Sequence, residues 1–321
     1  MKPVSFFGLA FLLVASGCAT VADAPEAEPG TPVALVFGWE PGMQASVVST
    51  RTRQRTGASN LENSMTSLYT LRVDSAGEEL RVHFDDLEVE VGGKRAPAAE
   101  AIQFIAQMGD LAPDYRVTTH GEFLGLHDMP AFQQRLETLL TGMIPPKTQE
   151  ALGPMMEMLT SEAFLNTRAA EQWNAIVGTW ADAELALGSA YEAQIREPVP
   201  VVPGTEVMMN YTFEVKELVS CERGGTRREC AALEMHSIAD PEDTAKMIEA
   251  IIDRIAGQAL TEQPVITSLD MDNTLQVVTE PNGLIPHQYK LIKNLRATVR
   301  IGDREREMVQ VDTTEAAYSY P

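Results

Sequence analysis

Aromatic side chains make up only 6% of the sequence, and histidine and cysteine are scarcer still, at five and three residues. No two of His83, His120, His127, His236 and His287 have the i, i+4 spacing that sets two imidazoles on one helix face, so a zinc hydrolase finds no support. A Gly-x-Ser-x-Gly elbow is missing, and no glycine-rich loop precedes a basic residue as a phosphate cradle requires. Positive charge is also short. Against 46 Asp and Glu stand 25 Lys and Arg, a net charge of −21, which argues against a nucleic-acid partner and against electrostatic docking on anionic lipid. No catalytic residue, cofactor site or metal site is therefore assigned. Two weak metal patterns have bland readings. His120 and His127, near Glu122 and Asp128, read as loop histidines unless two strands bring them together. Asp270, Asp272 and Asn273 start like a calcium loop, but Leu275 and Pro281 stand where its glycine and glutamate belong, so they read as a polar turn.

What is present begins at the N-terminus. Lys2, the apolar run of residues 6–15, and Ser16, Gly17 and Cys18 form a secretory signal peptide, too short to span a bilayer. The segment Val14-Ala15-Ser16-Gly17-Cys18 resembles a bacterial lipobox, with Ala15 where Leu is commoner. The alternative is an ordinary signal peptide with a cysteine nearby. The resemblance implies lipidation (diacylation and N-acylation) at Cys18 after removal of residues 1–17. It also implies attachment to the membrane through this lipid anchor, since two or more acyl chains hold stably where one does not. Ala19 is not the Asp of an inner-membrane retention signal, so the expected location is the cell envelope, at the outer membrane facing the periplasm. Residues 18–34 read as the lipidated cysteine and a flexible tether rich in Ala, Pro, Glu and Gly.

Residues 35–128 read as a β-rich half. Arg51, Arg53 and Arg55 share one strand face, expected to be a solvated outer face paired with acidic neighbours rather than an anion site. Met65 to Val73 alternate, Ser75-Ala76-Gly77 turns, and Leu80, Val82 and Phe84 return. The apolar set then moves from even to odd positions at Leu87, Val89 and Val91, which predicts a bulge at Asp85-Asp86. A short helix over residues 98–108 and strands at 115–119 and 122–126 follow.

Residues 129–184 read as a central helical segment. Asp128 is the expected N-cap of a helix carrying Phe132, Leu136, Leu139 and Leu140. A second helix starts near Pro146, and a third carries Phe164, Leu165, Trp173, Ile176, Val177 and Trp180. Met155, Met156, Met158, Trp173 and Trp180 are the candidate ligand-binding residues, because Met packs adaptably around apolar ligands of variable shape. The competing reading is a solid core with Met as filler.

Residues 185–321 read as a second β-rich half, with a strand around Ala190 to Ile195 before a stiff connector at Pro198 to Pro203. Val207 to Val215 alternate, and the chain turns at Glu222-Arg223-Gly224-Gly225. Asp240 caps a helix carrying Ile248, Ile251, Ile252 and Ile255, and strands at 265–271, 275–279, 287–301 and 305–313 complete the half. Cys221 and Cys230 stand across that turn, and in an exported chain they are expected to form a structural disulfide. A short similarity between residues 117–127 and 277–287 raises an internal duplication against chance resemblance, and both stay open here.

The expected fold class is thus α+β: curved antiparallel sheets in two halves, with the central helical segment packed between or over them. Architecturally the chain resembles the uncharacterised β-rich lipoproteins of Gram-negative bacteria. More distantly it is similar to periplasmic lipoprotein carriers and receptors, which cup acyl chains in a curved sheet covered by helices. From them no functional residue beyond Cys18 carries over. Three readings follow: a lipid-anchored envelope protein binding an apolar or acyl ligand between sheet and helices; an envelope scaffold that binds other envelope proteins through a solid body; and, more remotely, a hydrolase.

Overall fold

The computed structural model describes residues 28–57, 61–95, 114–143, 153, 156, 157, 159–198, 205–256, 265–301 and 304–321. Cys18, the signal peptide, most of the tether, the helix expected at residues 98–108, the connector at Pro203, and Met155 and Met158 lie outside the described residues.

The first elements are β1 (Pro32–Phe37), β2 (Gln44–Thr56), β3 (Leu61–Ala76), β4 (Glu79–Val91), β5 (Lys94–Arg95), β6 (Tyr115–Thr118) and β7 (Phe123–Leu126). Helices α1 (Met129–Met143) and α2 (Glu162–Trp173) follow, the latter running into a π-helical turn at Asn174–Gly178. Then come β8 (Ala183–Ala186), β9 (Ala190–Pro198), β10 (Glu206–Arg223), β11 (Thr226–Ala239), α3 (Pro241–Ala256), β12 (Val265–Glu280), β13 (Asn282–Gly283), β14 (Ile285–Ile301) and β15 (Arg304–Ser319).

The α+β expectation is overturned. Strands take 65% of the structure and helices 19%, and one 12-stranded antiparallel sheet holds both halves in the order β7-β6-β4-β3-β2-β15-β14-β12-β11-β10-β9, with β5 on β4. Two causes are visible. The two β-rich stretches join where β15 pairs with β2, from Ser319↔Ser46 to Val309↔Thr56, so the helices cannot lie between two sheets. The strands also run longer than the sequence indicates. Asp270, Asp272 and Asn273 lie inside β12 rather than in a turn, because neighbouring strands satisfy them: Asn294 donates to Asp272 at 2.8 Å and Asn273 donates to Ser237 at 3.1 Å.

Alternation builds the inner face of this sheet. Ala45 and Val47 of β2, Leu71 and Val73 of β3, Leu80 and Val82 of β4, Leu275 and Val277 of β12 and Tyr318 of β15 are all buried on it. The expected bulge is there. Leu68 opposes Glu88 while Thr70 opposes Asp85, so β4 holds the extra residue, and Asp86 takes φ +55°. At the tip between β10 and β11, Gly224 and Gly225 both have positive φ, the backbone a two-residue hairpin turn demands. Below it Cys221 and Cys230 are bonded, with Cα atoms 5.9 Å apart. A loop this short gives roughly 2–3 kcal/mol in the chain-entropy account.

A second layer lies on the inner face. β1, which the sequence reading divided between the tether and the first β-rich half, alternates Val33, Leu35 and Phe37 into the core and pairs with β8 and β13 in a three-stranded sheet. Helix α1 buries Phe132 and Leu136, and α2 buries Leu165, Ala169 and Trp173, one face at i, i+4, i+8. Ser161 caps α2 by accepting from the Phe164 N–H at 3.3 Å. Helix α3 covers a separate apolar patch of Val207, Met209, Ala239 and Met247. Asp240 caps it as expected, accepting from the Glu242 and Asp243 N–H groups at 3.0 and 3.1 Å.

Candidate functional site

Between the inner face and α2 lies a cavity of about 130 Å³. Its wall is aromatic. Trp39 and Trp173 meet edge to face at 5.1 Å, Tyr115 meets Trp173 at 6.4 Å and Phe84 at 5.0 Å, and Phe84 meets Tyr69 at 5.6 Å. Three of these rings are fixed by hydrogen bonds. The Trp173 indole N–H donates to the Gly121 carbonyl at 2.7 Å, that of Trp39 to Leu284 at 3.0 Å, and the Tyr115 hydroxyl to Gln172 at 2.7 Å. Gly121 is required at its position: φ is +87°, and a Cβ there would stand 2.8 Å from the Phe37 ring. Trp39, Tyr115 and Trp173 are therefore held in place in the cavity wall.

The opposite side is polar. Ser49 and Ser67 are buried in the wall, and the mouth carries Arg51, Arg168, Glu171, Lys293 and Asp312. Arg168 donates to Glu171 at 2.8 Å and Lys293 reaches the same carboxylate at 3.7 Å. Arg53 donates to both oxygens of Asp312, at 2.8 and 3.0 Å, and Arg51 stands 3.9 Å from it. Removal from bulk water holds the Lys293 pKa below the ordinary lysine range; Glu171 opposes this, and Arg168 and Arg51 reinforce it. Water still reaches 41% of the Lys293 side-chain surface, because the ammonium is enclosed by the walls of an open cleft rather than by a packed core.

The sequence-derived candidates divide. Trp173 lines the cavity. Trp180 does not; it is 1% exposed, packs edge to face on Phe213 at 6.0 Å and donates to the Ala175 carbonyl, so it belongs to the core. Met156 is half-buried and outside the lining, and Met155 and Met158 fall outside the described residues. Trp39 and Lys293 were missed, and Arg51 was weighed as part of an anion site and set aside for a solvated face. The arginine row of β2 does take an acidic neighbour in Asp312, but it continues the face of Ala45 and Val47, the inner face and not the outer one. That parity was readable, since Val47 and Arg51 are four residues apart on a strand.

A second polar cluster lies by the disulfide. His287 and Glu280, both buried, meet at 3.2 Å, and Arg223 reaches Glu280 at 3.2 Å. The Cys221 and Cys230 sulfurs and a His287 nitrogen lie within 4.8 Å of one another, but the sulfurs are spent on each other and offer no thiolate. His120 is exposed in the turn between β6 and β7.

No protein-family model and no curated protein matches the chain. Among solved structures, it is similar over 88% of its length to one described as "lipid-protein interactions in lipovitellin", at 10% identity and a TM-score of 0.41. The chain spans about a quarter of that protein, 26% of its length, and likeness at this level carries no argument about fold or ligand.

Proposed function

We propose that the protein is a lipid-anchored envelope protein that takes an apolar or acyl ligand into the cavity between the inner sheet face and α2. The observation that carries this reading is the aromatic wall of Trp39, Phe84, Tyr115 and Trp173 around about 130 Å³ of space. An apolar cavity of roughly 150 Å³ admits a molecule the size of benzene, so this one takes the end of a chain and leaves the remainder in the cleft. The anchor rests on the lipobox-like residues 14–18, which support acylation at Cys18, and Ala19, in place of a retention Asp, supports the periplasmic face of the outer membrane as the location. The solid-core scaffold keeps one observation in its favour, the tight packing of Trp180.

The test is made on protein from its own membrane. Fractionation should find the wild type in the membrane and Cys18→Ala as soluble or unprocessed precursor. Mass spectrometry of the purified wild type should find a stoichiometric lipid, and the delipidated protein should enhance the emission of a dansyl fatty acid. Unchanged membrane attachment of Cys18→Ala removes the anchor, and absence of both lipid and probe binding leaves the scaffold.

A further inference from the structure

The mouth of the cavity is charged with the sign opposite to that of the whole chain. Three cations line it, Arg51, Arg168 and Lys293, against two carboxylates, Glu171 and Asp312, in a protein of net charge −21. Asp312 is shared by Arg53 and Arg51, and Glu171 by Arg168 and Lys293. Among the described residues, the four cations Arg51, Arg53, Arg168 and Lys293 thus share two carboxylates, beside an apolar wall where attraction to a counter-charge is less screened than in bulk water.

On the reading of the cavity as a ligand site, we propose that its ligand is a single-chain amphiphile with an anionic head group. The head, a carboxylate or a phosphate ester, is held by Lys293, Arg51 and Arg168, and the chain end enters between Trp39, Trp173 and Phe84. Charge-assisted hydrogen bonds from Lys and Arg are the strong kind for either head group. The enclosed space limits the ligand to one chain end. The depressed Lys293 pKa agrees, because an ammonium withdrawn from bulk water, and further pressed by Arg168 and Arg51, gains from any added anion.

Titration of the delipidated full chain with laurate, dodecyl phosphate and dodecanol, all below micelle formation, tests this. Both anions should bind at least about tenfold more tightly than dodecanol, or about 1.4 kcal/mol, with a preference that shrinks as salt is added. Lys293→Met and Arg168→Gln should each lower the preference severalfold while dodecanol affinity stays within about twofold. Tighter laurate than dodecyl phosphate assigns the head as carboxylate, and the reverse assigns phosphate. Equal affinity for all three ligands, or an anion preference that survives in both variants, overturns the proposal and leaves the apolar cavity standing. Failure of all three to bind overturns both. Should Arg168→Gln fail to fold, Lys293→Met decides alone, since its side chain stands at the open mouth.

Discussion

The inner face has two ends built from the same strands, and they differ abruptly. On β2, Ala45 and Val47 are buried and Ser49, Arg51 and Arg53 follow; on β15, Tyr318 and Ala316 give way to Thr314 and Asp312; on β14, Tyr289 and Leu291 give way to Lys293. Register makes the change a line across three strands. Ser49, Ala316 and Tyr289 form one row, and Arg53, Asp312 and Lys293 another. Alternation therefore decides which face a residue joins, whereas the place along the strand where apolar residues stop decides where the second layer ends and a charged mouth begins. A ligand with two unlike ends fits such a boundary better than a purely apolar one.

The sharpest test of this contrast is Trp173→Ala, at the covered end. It removes the ring that meets Trp39, Phe37 and Tyr115, and should cost about 3–5 kcal/mol, lowering Tm by roughly ten degrees in a thermal melt. A loss under about 1 kcal/mol would mean that the wall is loosely packed and the two ends are alike. Next in size is Asp312→Asn at the mouth, where Arg53 loses its carboxylate. Denaturant unfolding should register about 1–3 kcal/mol. A neutral result would show the row to be water-supported.

The smallest effect is the dependence of stability on pH at Lys293. Its folded pKa lies below the ordinary 10.5, so the cost of charging it is fully present below that lowered value. As pH rises from the lowered value toward 10.5, the folded state sheds its proton before the unfolded state does, and stability must rise. Comparing wild type with Lys293→Met as pH rises toward 10.5 should show this rise in the wild type alone. The charges facing the ammonium, Glu171 and Arg168 on α2, Arg51 on β2 and Asp312 on β15, are common to both proteins. Parallel curves would place the ammonium in ordinary solvent.

Much of the local structure was legible because it is written at short range. The phase slip at Asp85-Asp86, the glycine turn above Cys221 and Cys230, and the Asp240 cap each follow from residues a few positions apart. The seam was not legible, since the Arg53 to Asp312 pair joins residues 259 positions apart and nothing local to either strand names its partner. For that reason the sequence read as two halves around a helical centre. The site was half legible. Trp173 stood out as a large apolar residue in a helical pattern, but the methionine signal led away from the cavity, and Lys293 looked like any other lysine on a strand until β15 and β2 set it opposite Asp312.

That seam also dictates the order of events as the chain is made. β2 is synthesised long before β15, so its free edge must wait, with backbone donors and acceptors unpaired, until the rest of the sheet has appeared. Closing so long a loop is entropically slow. A nascent chain therefore holds an adhesive strand edge and an incomplete mouth. Completion of the cavity, whose walls come from both sides of the seam, is the last step of maturation rather than an early one.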